Sequence, residues 1–264
     1  MFKKIAAIVL SVLLFATCFT ACGKSAATLK SVQKAGKLVI ATSPDFPPFE
    51  ELQADGSVTG IEIDILNLIC QELGVTLEIK QMNFDSVLPG IQAGKYDVGV
   101  SGISVTPKRE KNVKFTVPYC LAAQAIVVLE GSEVTCKADL TGKKISVQSG
   151  TTAESFCMEN NYDISAFAAN TDAELALTTG KVAAWVIDDL TAAEMVAAYN
   201  AENPAVKLVI LDEAMTTEPY AFAFNMESGD LVDEINTILQ KLIDDGTVAQ
   251  IFEKYNAPYT SPNK

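Results

Sequence analysis

Ser101-Gly102-Ile103-Ser104-Val105-Thr106-Pro107-Lys108-Arg109 is the stretch on which the reading of this chain turns. Before it, residues 96–100 form an apolar run of the kind a buried strand uses; within it come small hydroxyl residues, a glycine and one arginine. The guanidinium is a planar fork that holds both oxygens of a carboxylate, and hydroxyls with uncovered backbone N–H groups add donors aimed at the same charge. Ligands of open α/β sheets settle past the carboxyl ends of strands, where this stretch would lie. The same residues serve equally well in a surface turn, with Ser and Thr capping the next helix and Arg solvated. Taken alone, they leave both readings open.

Length and charge narrow the choice. At 264 residues the chain can hold two small α/β lobes or one large domain. Acids outnumber bases 33 to 20, a net charge of −13, which disfavours a nucleic-acid partner because phosphate contact needs a basic surface. No histidine occurs, so Ser-His-Asp and Cys-His catalysis and His-ligated metal sites are excluded, leaving carboxylate, Lys or thiol chemistry for any enzyme. Gly23-Lys24-Ser25 lacks the earlier glycine of a phosphate loop and no G-x-G-x-x-G follows a strand. Neither a cofactor nor a metal is expected.

Patterning gives the order of elements. Residues 37–41 read as a first strand, left by Thr42-Ser43-Pro44-Asp45-Phe46-Pro47-Pro48-Phe49-Glu50, a loop stiffened by three prolines that can present an aromatic face. Ile61, Ile65, Leu68, Ile69 and Leu73 recur at helical spacing, and Glu62 and Asp64 complement that helix's N-terminal dipole. Residues 75–79 alternate as a strand, a helix follows from Phe84 to a stop at Gly94, and residues 113–119 and 125–129 are extended. After a strand at 143–147, Gln148-Ser149-Gly150-Thr151-Thr152 is a turn opening a helix, which is either an anion site or simple N-capping. Residues 181–190 form an apolar strand ending in Asp188 and Asp189, one of them a natural helix cap. Leu231, Ile235, Ile238, Leu239 and Leu242 mark a further helix that Gly246 breaks before a last one over 248–255.

At the other end, Lys3 and Lys4 precede an apolar run over residues 5–17, the length of an export signal rather than a membrane span. Phe19-Thr20-Ala21-Cys22-Gly23 resembles a lipobox, with Phe19 where Leu is usual; Cys18 is the poorer fit. That resemblance implies a signal peptide over 1–21, acyl chains such as palmitate on Cys22, a tether over 22–36, and a place on the extracytoplasmic face of the cell membrane. Each buried CH₂ of such chains contributes about 0.8 kcal/mol.

The Ser101–Arg109 run resembles the ligand loop of the family 3 bacterial solute-binding proteins, the amino-acid receptors of ABC importers. The likeness covers residues 37–255 and includes the Phe46 loop, Gly60-Ile61-Glu62-Ile63-Asp64, the strand ending at Asp188, and Glu218-Pro219-Tyr220-Ala221-Phe222 as a returning hinge strand. It implies a two-lobe periplasmic-binding-protein-like α/β fold of type II, with two hinge strands, one lobe from 37–120 and 219–264 and the other from 121–218. It further implies that Arg109, Ser101, Ser104, the Gly102 N–H and Thr152 surround an α-carboxylate, that Asp188 receives the ammonium, and that Phe46 and Phe84 flank the ligand. Ser43 and Gln148 would meet its side chain. With no acid at Ser43, a polar neutral amino acid or cystine is mildly preferred, although Asp45 keeps Arg and Lys open. The implied partners are the ligand, permease subunits and, through Cys22, the membrane; the chain is expected to be a monomer. The rivals are an enzyme resembling the cyclohexadienyl dehydratases of this scaffold, which needs a general acid facing a leaving group, and a sensor domain. Among Cys70, Cys120, Cys136 and Cys157, either Cys136 pairs with Cys157 or the thiols are buried and free.

Overall fold

The computed structural model describes residues 26–203, 205–213 and 215–262. The expected signal run and Cys22 lie outside the described residues. The elements in chain order are α1 (Leu29–Ala35), β1 (Lys37–Thr42), β2 (Asp45–Phe46), β3 (Glu50–Leu52), β4 (Val58–Thr59), α2 (Ile61–Leu73), β5 (Thr76–Gln81), α3 (Phe84–Gln92), β6 (Val98–Gly99), β7 (Val113–Phe115), β8 (Cys120–Ala122) and β9 (Gln124–Leu129). They continue with β10 (Lys144–Gln148), α4 (Thr152–Glu159), β11 (Asp163–Phe167), α5 (Asn170–Thr178), β12 (Ala184–Asp188), α6 (Asp189–Glu202), β13 (Leu208–Ile210), β14 (Glu218–Tyr220), β15 (Ala223–Asn225), α7 (Gly229–Asp244) and α8 (Thr247–Lys254).

Two five-stranded sheets organise these elements, one in the order β5-β1-β6-β15-β7 and the other β11-β10-β12-β9-β13. In each, three parallel strands adjoin one antiparallel strand that enters just after the chain crosses between sheets: β9 in the second, β15 in the first. The crossings are β8 and β14, paired antiparallel with Cys120 opposite Tyr220. The stretches expected to be extended, 113–119 and 125–129, divide between the lobes: β7 stays in the first sheet, β9 already belongs to the second, and β8 alone of the three crosses between them.

Burial follows strand position. The central strands β9 and β12 are apolar on both faces and almost wholly buried, as strands covered by helices on each side must be. The edge strand β5 is half exposed, with Lys37 and Lys80 both pairing with Glu78, at 2.7 and 2.9 Å. Helices α2, α7 and α8 bury Ile61, Ile65, Ile69, Ile235, Leu239 and Phe252 in the first core.

Several expectations change. The strand expected over 96–100 pairs only at Val98–Gly99, because the chain turns out of the sheet into the Ser101 loop. Part of the expected tether is helix α1: Thr28 and Ser31 cap each other reciprocally, and Val32 is buried against the first core. Cys136 does not pair with Cys157; both are free, as are Cys70 and Cys120. Burial pushes the Cys70 and Cys157 thiols up to about 11 and about 12, which makes them inert. Among the described residues, no helix is long and apolar enough to cross a membrane.

Candidate ligand site at the lobe interface

The Val100 N–H still bonds the Ala41 carbonyl at 2.9 Å, and the chain then leaves the sheet. Gly102 adopts φ 52°, and a Cβ there would run into the Phe46 ring, so this turn admits no side chain. Behind it lie two fully buried acids. Ser101 Oγ donates to Glu50 at 2.6 Å, and the Gly102 N–H donates to Glu62 at 3.1 Å. Glu62 also accepts from the Tyr119 hydroxyl. The dipole role expected for Glu62 is thus not its main one: it is turned inward and anchors the loop. Burial, then the negative charge of Glu62, holds the Glu50 carboxyl well above the usual carboxylate range.

Arg109 reaches across the interface. One guanidinium nitrogen donates to its own loop at the Ser104 carbonyl, 2.9 Å, and the other to the Gly150 carbonyl of the second lobe, 3.1 Å. Its guanidinium carbon lies 5.6 Å from the Phe84 ring centroid, a cation–π distance. Burial lowers its pKa, opposed by the negative charges of Glu218 and Asp188.

Asp188 ends β12 and is buried, accepting from the Gln124 amide and the Tyr220 hydroxyl. Burial first, and Glu218 second, push its carboxyl well above the usual range. It occupies the N-cap position of α6 but makes no cap bond. Its neighbour Asp189 accepts the Leu190 N–H at 2.8 Å and the Ala123 N–H at 3.2 Å. At the start of α4, Thr151 is the cap, accepting the Glu154 N–H at 3.1 Å. That frees Thr152 to point inward.

Its partner is Glu218, a residue to which the sequence reading gave no role. The Glu218 carboxylate accepts from Thr152 of the second lobe at 2.7 Å, from Ser104 of the first lobe, and from Thr216 at 3.0 Å. The available signal was one ionisable residue opening an otherwise apolar hinge strand. Asp45 was likewise only a side possibility; Ser43 and Gln148 both donate to it, at 2.8 and 3.1 Å.

Eight of the ten predicted ligand residues line a single space: Phe46, Phe84, Ser101, Gly102, Ser104, Arg109, Gln148 and Thr152. Ser43 and Asp188 are outside its lining. The space is about 20 Å³, so the lobes are shut on their own side chains. On the other side of Arg109, a cavity of about 580 Å³ opens between α3 and α4 and shares Phe84, Arg109 and Thr152.

Two lobes joined by two strands, with charged side chains of each turned into the gap between them, define a cleft-closing binding protein of the type II periplasmic-binding arrangement. The sequence profile of the bacterial extracellular solute-binding proteins, family 3, matches residues 38–258, and the chain belongs to that family. It is similar to the putative ABC transporter arginine-binding protein 2 of Escherichia coli K12, 29% identical over 85% of this chain and 93% of that one. It is also similar to the L-cystine-binding protein TcyJ of the same strain, 26% identical over 86% and 85%. Among solved structures, a mutant of ArgBP from T. maritima superposes with a TM-score of 0.80 at 35% identity, over 86% of this chain and 98% of that one.

Proposed function

We propose that this protein is the substrate-binding component of an ABC importer, held by acyl chains on Cys22 at the extracytoplasmic face and closing on an L-amino acid. The observation that carries the reading is that Arg109, in the loop after β6, donates to the second lobe's Gly150 carbonyl while Asp188 ends β12 of that lobe and accepts from Tyr220 of the returning hinge strand, so opposite charges from the two lobes come to one interface. A zwitterion bridges them only when the lobes shut, so ligand binding favours closure. Arg109, Ser104 and Thr152 take the carboxylate, the two hydroxyls turning to it from Glu218; Asp188 takes the ammonium; Phe46 and Phe84 flank the rest. Lobe 1 comprises residues 37–120 and 219–264, and lobe 2 residues 121–218.

The charge balance moves the side-chain preference away from polar neutral amino acids and cystine. Glu218 and Asp188 both act on Arg109, so this interface carries one acid more than it has base, and a ligand with a cationic side chain offsets it where a neutral zwitterion does not. L-arginine is accordingly placed first. The test is a thermal shift of the purified protein against the twenty amino acids and cystine. At a hundredfold its Kd, a ligand adds about 2.7 kcal/mol of stability. The largest shift is expected from L-arginine; a shift from cystine or glutamine alone rejects the charge argument, and no shift from any rejects the function.

A further inference from the structure

We propose that Asp45 is a closure latch, a first-lobe carboxylate that caps the N-terminus of the second-lobe helix α5 and so stabilises the shut cleft independently of the ligand. This rests on reading the cleft as one that closes. Helix α5 begins at Asn170 after Ala169, whose methyl side chain can accept no hydrogen bond. The first N–H groups of a helix need an acceptor, and the positive end of its dipole favours an anion. Asp45 supplies both from across the interface, its Oδ2 accepting the Asn170 N–H at 2.7 Å.

Both halves of the latch are held in shape. On the first lobe, Ser43 Oγ donates to Asp45 Oδ1 at 2.8 Å and fixes the carboxylate's orientation. On the second, Gln148 accepts from the Asn170 side-chain amide at 3.0 Å, donates to the Ala168 carbonyl at 3.2 Å, and donates to Asp45 at 3.1 Å. Ser43 and Gln148, expected at the ligand's side chain, are thereby committed to closure. When the lobes part, the Asn170 N–H loses its acceptor, and Ala169 has none to offer. Opening therefore carries a helix-capping penalty that any ligand inherits as slower release.

Hydrogen exchange and small-angle scattering, both without any amino acid, test the latch on the wild type, Asp45→Ala, Asp45→Asn, and Asp45→Ala combined with Ala169→Ser. In Asp45→Ala, exchange at the Asn170 amide should quicken about five- to tenfold, the size of a lost cap, with a larger radius of gyration. Asp45→Asn should lie between this variant and the wild type. The added serine, whose hydroxyl can accept only from the second or third helical N–H, should slow exchange at Thr171 or Asp172 by capping α5 from within its own lobe, yet leave the Asn170 amide fast and the radius large. Recovery of both by Ala169→Ser reduces Asp45 to a helix-stabilising role and overturns the latch. So does an Asp45→Ala protein whose radius and Asn170 exchange match the wild type. Because no ligand is present, the outcome does not depend on which amino acid, if any, shifts the melting temperature.

Discussion

Glu50 with Glu62, and Asp188 with Glu218, are two buried groups of acids at one site, and they differ in what faces them. The first lies behind the Ser101–Gly102 loop, where its partners are neutral donors: the Ser101 hydroxyl, the Gly102 N–H and the Tyr119 hydroxyl. No cation is among the groups acting on Glu50, whose carboxyl is held well above the usual range by burial and then by Glu62. The second group faces Arg109 across the gap, and its members also take hydroxyl donors from both lobes. The same residue type thus serves as a sealed brace in one place and as an exchangeable charge in the other.

Substitution should separate the two most sharply at Asp188. Asp188→Ala removes the acid that a ligand's ammonium would meet, and stranding one member of a charged contact weakens binding by about 2–5 kcal/mol. The ligand-induced melting shift should vanish while the ligand-free protein stays folded. If Asp188→Ala binds as the wild type does, the hinge acids are a brace like Glu50 and Glu62, and the comparison collapses.

The next effect belongs to the brace and is read against pH. An unfolded glutamate titrates at roughly 4.3, and the folded Glu50 carboxyl is raised above this. Above that unfolded value the native state keeps a proton that the unfolded chain has released, so stability falls as pH rises toward the folded value, by up to about 1.4 kcal/mol per pH unit. Glu50→Gln carries a permanently neutral amide in the same shape. Its melting temperature should therefore exceed the wild type's by a margin that widens from pH 5 to pH 8. Parallel curves for the two proteins mean that no proton is trapped there.

How legible these roles were depends on whether they follow from local pattern. The helices at Ile61 and Leu231, strand β1 and the central strands declared themselves through apolar periodicity, since one face or both must be buried. The Ser101–Arg109 loop was legible only with the family resemblance, because a strand giving way to Gly, Ser and Arg serves a surface turn as well as a carboxylate site. Glu62 was misread because an acid in the first turn of a helix is adequately explained by the dipole. Nothing local says that the side chain points inward to Gly102, 40 residues on. Glu218 and Asp45 were hidden for the same reason: Ser104 meets Glu218 across 114 residues, and Asn170 meets Asp45 across 125. Helix α5 was missed because its buried face is Asn170, Ala173, Ala176 and Leu177, too small and mixed to print a stripe.

The smallest expected effect asks which of the two raised carboxyls gives up its proton when a ligand arrives. Asp188 is raised by burial and by Glu218, and Arg109 already pulls it the other way. An ammonium placed against it adds a second cation, lowers its pKa and drives a proton into solution. Glu50, sealed behind Ser101, gains no such neighbour. Titrating ligand into the protein in two buffers of different ionisation enthalpy should then show release of up to about one proton per ligand, with affinity rising by at most about tenfold per pH unit until Asp188 is ionised in the empty protein. The same release should be seen in Glu50→Gln, because its removed proton is not the one exchanged. Uptake of a proton, or a release that disappears in Glu50→Gln, assigns the exchangeable proton to the brace and reverses the roles given to the two groups of acids.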